Sequence, residues 1–166
     1  MSTTIVIMVD GLDPEYLSMC PAPRLEELAK AGSRSDVRGL MPSVTNVNNV
    51  SLVTGSYPEN HGITSNYWLD RDRDSEHYME SAEYIRSETM FQRADGLGMR
   101  SLLVTAKDKL RRLLSTGTTV SVSSEQPPGW VVDGVGTPPE IYSLEVNRWV
   151  LDAGRFILSQ QDFDLV

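Results

Sequence analysis

The sequence predicts an α/β fold, a parallel sheet flanked by helices, and three observations carry that prediction. Ile5 to Val9 is an unbroken apolar run rich in β-branched residues, the pattern of a strand covered on both faces. "SLLVTA", Ser101 to Ala106, and "TTVSVSS", from Thr118, are two more strand-like runs of the same kind. Helical segments lie between these runs, and buried strands that alternate with helices imply a parallel sheet with helices on both faces.

Taken in order, the first strand stops at Asp10-Gly11. Pro23 to Ala31 is a helix opened by proline, with Leu25, Leu28 and Ala29 on one face and Gly32 as its stop. Asn48 to Thr54 forms a second helix ending at Gly55, and Glu88 to Asp95 a third, closed by "GLG" at Gly96 to Gly98. After the strand at Ser101 to Ala106, "KLRRLL" is a short helix, the strand from Thr118 follows, and Pro139 to Gln161 is a long helix carrying Ile141, Leu144, Val150, Leu151 and Ile157. The closing "DFDLV" reads as the opening of one more buried strand. A strand needs backbone partners and a connection beyond it. Residues 1–166 are therefore expected to be the N-terminal part of one longer domain, incomplete at its C-terminal side. No repeat and no internal linker divides them.

Composition narrows the function classes. With 40% hydrophobic and 23% charged residues over 166 positions, the chain matches an ordinary globular domain with a real core, not a membrane-spanning or disordered one. A net charge of −8 and a pI near 4.7 leave no broad basic face for a phosphate backbone, so nucleic acid and membrane are not expected partners. Cys20 stands alone, and the start "MSTTIVIMVDG" lacks the basic opening and long apolar core of a signal peptide, so a reducing cytoplasm is the expected location.

Ligands of open α/β sheets gather beyond the carboxyl ends of the strands, where Asp10 lies. By position alone Asp10 reads equally as a metal-holding carboxylate and as a turn residue before Pro14. Thr45, in "MPSVTNVNN", stands ahead of a helix, and taken by itself reads first as an N-cap. If the helix begins near Thr45, its free N–H groups and dipole also favour an anion beside that hydroxyl.

Further motifs change the weighting. Asp10 in "VDG", "MPSVTNVNN" with "TGSYPENHGI", Asn66 in "SNYW", and "VTAKDKLRRLL" at Val104 to Leu114 occur in order along nearly the whole chain. Together they resemble the phosphonoacetate hydrolase family of the alkaline phosphatase superfamily. "TGSYPENHGI" is shared with the related nucleotide pyrophosphatase/phosphodiesterases and marks only the superfamily, whereas "AKDKL" is the narrower signal. The resemblance implies zinc-dependent hydrolysis of the carbon–phosphorus bond of phosphonoacetate, through a phosphothreonine, with two zinc ions in the complete enzyme. It makes Asp10 a zinc ligand and Thr45 both zinc ligand and nucleophile. Asn66 holds a phosphoryl oxygen, and Lys107 and Lys109 take the substrate carboxylate. Further Asp and His ligands are required that these residues do not supply, so the chain is expected to carry part of the site and to be inactive by itself. Two alternatives stand beside this reading: a phosphodiesterase or nucleotide pyrophosphatase of the same superfamily, weakly favoured by Tyr67 and Trp68 next to Asn66, and a short non-catalytic chain that binds a phosphonate or metal. A small phosphonate is the expected partner, and the oligomeric state stays open, a homodimer included.

Other candidates carry less. "DRDRD", Asp70 to Asp74, opens like a calcium loop, but Ser75 and Ser81 stand where glycine and a bidentate glutamate are needed, so it reads as a solvated turn or hairpin. His61 reads as a packing or hydrogen-bonding residue, His77 as surface, Met79 and Met90 as core filler, Trp130 as a loop anchor, and Cys20 as inert.

Overall fold

The computed structural model describes residues 2–166. Its elements in chain order are helices α1 (Pro14–Met19), α2 (Pro23–Ala31), α3 (Thr45–Thr54) and α4 (Pro58–His61), then strands β1 (Tyr67–Asp70) and β2 (Ser75–Tyr78). After a 3-10 turn at Ala82–Tyr84 come α5 (Met90–Gly96), β3 (Leu102–Thr105), α6 (Asp108–Leu114), β4 (Val120–Ser123), α7 (Gly129–Val135) and α8 (Glu145–Gln160).

β3 and β4 pair in parallel, Leu102 opposite Val120 and Thr105 opposite Ser123. The chain ends join the same row. Leu165 bridges in parallel to both Thr4 and Ser101. Thr4 N–H donates to Asp164 O at 2.8 Å, Val166 N–H to Thr4 O at 2.9 Å, and Leu102 N–H to Leu165 O at 2.9 Å. The expected strand in "DFDLV" thus lies between the N-terminal segment and β3.

Because side chains alternate across a strand, the row separates two cores. Leu102 and Val122, with the partly buried Val104 and Val120, pack against Val131 of α7 and Trp149, Ala153 and Ile157 of α8. Leu103 turns to the other face and meets Val47, Val50 and Val53 of α3, Phe91 and Ala94 of α5 and Leu113 and Leu114 of α6. Helices cover both faces, as the sequence predicts.

Caps explain several boundaries. α5 starts at Met90 rather than Glu88 because Thr89 and Gln92 form a capping box: Gln92 N–H donates to Thr89 Oγ1 at 3.2 Å and Thr89 N–H to Gln92 Oε1 at 2.9 Å. α3 ends at Gly55, whose φ of 61° and ψ of 26° lie in the left-handed region. The long C-terminal helix begins at Glu145, not Pro139, since residues 139–144 include a hydrogen-bonded turn, with Ser143 N–H donating to Glu140 O at 2.9 Å.

The largest departure is at the N-terminus. Ile5 to Val9 is expected as a strand buried on both faces, yet Ile7 is 67% and Val9 56% exposed. Pairing reaches only Val6, whose N–H donates to Val166 O at 2.8 Å, and neither α1 nor α2 buries a residue. Nothing among the described residues covers this segment. "DRDRD" forms the turn of the β1–β2 hairpin, with Tyr67 opposite Tyr78.

Candidate active site

A bend at Met41 and Pro42 brings the chain to Thr45, the first residue of α3, and the asparagines Asn46, Asn48 and Asn49 follow it within the helix. Val44 takes the N-cap position in extended conformation and supplies no side-chain cap. The capping role that Thr45 suggests in isolation is therefore not the one it plays: its hydroxyl donates to Asp10 Oδ2 at 2.9 Å, across 35 positions of sequence. Asp10, at the end of the N-terminal segment, is exposed, and Thr45 is half-buried.

The asparagines then divide the work around this hydroxyl. Asn46 is buried; its N–H donates to Asn66 Oδ1 at 3.3 Å and its Nδ2 to Met79 O at 2.8 Å. Asn46 Oδ1 is buried without a hydrogen-bond partner among the described residues. Asn48 Oδ1 accepts from Leu40 N–H at 3.1 Å, and Asn49 Nδ2 donates to Thr45 O at 2.9 Å. Asn66 O accepts from Met79 N–H at 2.8 Å, which fastens the base of the hairpin beside the start of α3. Asp10, Thr45 and Asn66 form one cluster.

Lys107 and Lys109 lie on a second one, at the carboxyl end of β3. Thr105 Oγ1 donates to Lys107 O at 3.0 Å, holding the turn into α6. The ammonium of Lys107 stands 5.0 Å from the ring centre of Tyr142. Lys109 Nζ is 3.8 Å from Glu80 Oε1, and Arg112 donates to Glu80 Oε2 at 3.3 Å. Between the lysines, the buried Asp108 accepts from Arg111 Nε at 2.6 Å and from Ser123 Oγ at 2.8 Å. The Arg111 hydrogen bond holds its carboxyl below the usual range against the opposing effect of burial, with Ser123 and the Arg112 charge assisting. Glu125 Oε2 accepts from Asp108 N–H at 2.6 Å. An open cleft of about 480 Å³ has Tyr78, Glu80, Lys107, Lys109 and Tyr142 among its lining residues.

The clusters meet through two consecutive residues. Met79 is bonded to Asn46 and Asn66, and Glu80, next in chain, pairs with α6. Asn46, Glu80, Asp108 and Tyr142 are not singled out by motif; for Asp108 the one available signal is its place between the lysines of "AKDKL".

Asp10 Oδ2 and Thr45 Oγ1 are close enough for one cation to touch both. Among the described residues no three His, Cys, Asp or Glu side chains converge, so these oxygens fit part of a zinc shell, which commonly has three or four protein ligands.

His61 is a hydrogen-bonding core residue, as expected. Ser51 Oγ donates to Val47 O, so it accepts from His61 Nε2–H at 2.7 Å, while His61 Nδ1 accepts from Ile63 N–H at 3.1 Å. Burial pushes its pKa below the ordinary histidine value. His77 stacks on Trp68 at 5.4 Å in the exposed hairpin. Met79 is in the core. Trp130 is not in a loop: it sits in the first turn of α7, tilted against Phe156 of α8 with ring centres 6.0 Å apart. Cys20 is exposed.

Residues 4–158 match the family model described as type I phosphodiesterase / nucleotide pyrophosphatase. A phosphonoacetate hydrolase from Sinorhizobium meliloti, solved in complex with phosphonoacetate, superposes with a TM-score of 0.80 at 32% identity, over 98% of this chain and 44% of that one. The same enzyme has been solved with phosphonoformate. Murine ectonucleotide pyrophosphatase / phosphodiesterase 5 shares the fold, with a TM-score of 0.60 at 17% identity over 95% of this chain. A venom phosphodiesterase from Naja atra is 26% identical over 90% of this chain but only 18% of its own length. This chain thus spans 44% of the hydrolase, 52% of the murine protein and 18% of the venom enzyme.

Proposed function

The chain belongs to the type I phosphodiesterase / nucleotide pyrophosphatase family, and from that membership we propose that its site serves the hydrolysis of phosphonoacetate to acetate and phosphate. The observation that carries this reading is the cleft that Lys107 and Lys109 line, fastened through Met79 and Glu80 to the cluster of Asp10, Thr45 and Asn66.

Asp10 Oδ2 orients the Thr45 hydroxyl toward a phosphorus held at the start of α3, where the helix dipole and Asn66 Nδ2, its Oδ1 being taken by Asn46 N–H, favour the phosphonate oxygens. As the threonine oxygen bonds to phosphorus it releases its proton to solvent, and the electron pair of the broken carbon–phosphorus bond leaves with the carbon. A bare carbanion there is prohibitively basic, so the adjacent carboxylate takes the charge as an enolate. Lys107 and Lys109 aimed at that carboxylate stabilise the transition state more than the ground state, the condition for faster chemistry. Protonation at carbon gives acetate, and water then releases phosphate from Thr45. Two zinc ions, one of which Asp10 and Thr45 would hold, supply when bound the Lewis acidity that polarises the phosphoryl oxygens and lowers the hydroxyl pKa. Domain completion beyond residues 1–166 and a cytoplasmic location belong to the same reading.

A second reading, a phosphodiesterase acting on nucleotides, is favoured by the exposed rings of Tyr67 and Trp68 beside Asn66. Phosphate release from phosphonoacetate and from an aryl phosphate ester, measured in zinc for a full-length protein that carries the remaining ligands, unaltered and with Lys107→Ala or Lys109→Ala, separates the two. The phosphonoacetate reading expects losses confined to phosphonoacetate; equal losses on both substrates overturn it.

A further inference from the structure

We infer that Glu80 is a positioning residue that sets the reach from the phosphorus-binding cluster to the carboxylate-binding lysines, and so contributes to the choice of substrate. The inference rests on the phosphonoacetate reading above. Glu80 follows Met79, whose N–H and C=O are both engaged, at 2.8 Å each, by Asn66 and Asn46 beside Thr45. Its backbone is therefore tied to one half of the site. Its carboxylate is tied to the other: Oε1 lies 3.8 Å from Lys109 Nζ and Oε2 3.3 Å from Arg112.

The charges on α6 make this sharing selective. Asp108 is already committed to Arg111 and Ser123, and Glu125 to the Asp108 N–H. Glu80 is thus the carboxylate that balances Lys109 and, with a longer contact from Asp108 at 3.8 Å, Arg112. Lys107 faces the ring of Tyr142 and has no carboxylate within ion-pair distance among the described residues. A substrate carboxylate entering the cleft finds Lys107 uncompensated and Lys109 held loosely on the Met79 side. Both ammonium groups then sit at a defined distance from Thr45. Without Glu80, Lys109 is a flexible stem with four rotatable carbons, and that distance is no longer defined.

The test compares two ligands with the same phosphonate head, phosphonoacetate and methylphosphonate, of which only the first carries a carboxylate. Affinities are measured by calorimetry in zinc for the unaltered protein, Glu80→Gln and Glu80→Asp, with thermal midpoints to check folding. The expected result is a preference for phosphonoacetate that falls several-fold in Glu80→Gln and is partly restored in Glu80→Asp, while methylphosphonate affinity and the midpoint hold. A preference that survives Glu80→Gln, or that rises because a competing carboxylate has gone, overturns this inference alone. Equal loss for both ligands also overturns it, assigning Glu80 a general structural role. An unaltered protein with no preference for phosphonoacetate overturns the substrate reading itself, and this inference with it.

Discussion

Thr45 shows how one side chain changes meaning with its surroundings. A threonine ahead of a helix is a good N-cap, yet Val44 occupies that position and the hydroxyl turns to Asp10. Thr45→Ala therefore removes one hydrogen bond to an exposed carboxylate, a loss of about 0.5–1.5 kcal/mol. In a full-length protein with zinc, turnover of phosphonoacetate is expected to vanish in this variant while urea denaturation shifts by no more than that, and Thr45→Ser keeps part of the rate. Near-normal phosphate release from Thr45→Ala would exclude the nucleophile. At His61 the prediction concerns pH. The native ring is held neutral, accepting at Nδ1 from Ile63 N–H, and burial lowers its pKa from the model-compound value of 6.5. The unfolded chain therefore takes up a proton first as pH falls. The contribution to stability is complete above about pH 6.5 and is lost as pH drops toward the lowered native value. Urea midpoints recorded across this range should decline with acid for the unaltered protein and decline less for His61→Gln.

At the scale of elements, the "TGSYPENHGI" motif is a pair of helix ends. α3 stops at Gly55 and α4 at Gly62, whose φ of 85° is left-handed. A methyl group at Gly62 would come within 2.8 Å of Tyr84 O and 3.1 Å of the Arg86 side chain. Both strain and contact oppose it, so Gly62→Ala should cost more than about 1 kcal/mol, read as a lower denaturation midpoint. An unchanged midpoint would mean that the turn relaxes freely. The turn matters to the site because Arg86 N–H donates to His61 O at 3.0 Å, and His61 in turn braces α3 through Ser51. α6 has a comparable anchor: Asp108 binds Arg111 and Ser123 of β4, and so fixes the turn that carries both lysines.

For the whole molecule, the sheet row is well covered at β3 and β4 and bare at Ile5 to Val9. Leu25 and Leu28 of α2 are also exposed, at 49% and 67%. A long apolar edge with open backbone groups is a template for another strand. Residues 1–166 are expected to self-associate with rising concentration, and Ile7→Lys to reduce that association, as sedimentation velocity would record. A strictly monomeric unaltered chain at high concentration would show that the edge is protected. Among the described residues no helix is long and apolar enough to cross a membrane.

Local patterns alone were enough to locate β3, β4, α2, the end of α3 and the hairpin, because strand alternation, helix periodicity and glycine stops act over a few residues. Asp10, Thr45, Asn66, Lys107 and Lys109 came forward through the resemblance of their motifs, since local pattern alone leaves Asp10 a turn residue as readily as a ligand and Thr45 a helix cap. α7 was missed: a proline–glycine opening reads as a loop until Val131 finds the core of α8. Whether an apolar run is buried depends on a partner distant in sequence, so Ile5 to Val9 was misread as covered. The Asp10–Thr45 contact, the amide work of Asn46 and the bridge of Glu80 between the clusters are long-range as well. Their energies arise from groups 20 to 35 positions apart, as in the bonds from Asn46 to Asn66 and Thr45 to Asp10, and such pairings exist only once the chain has closed into its tertiary structure.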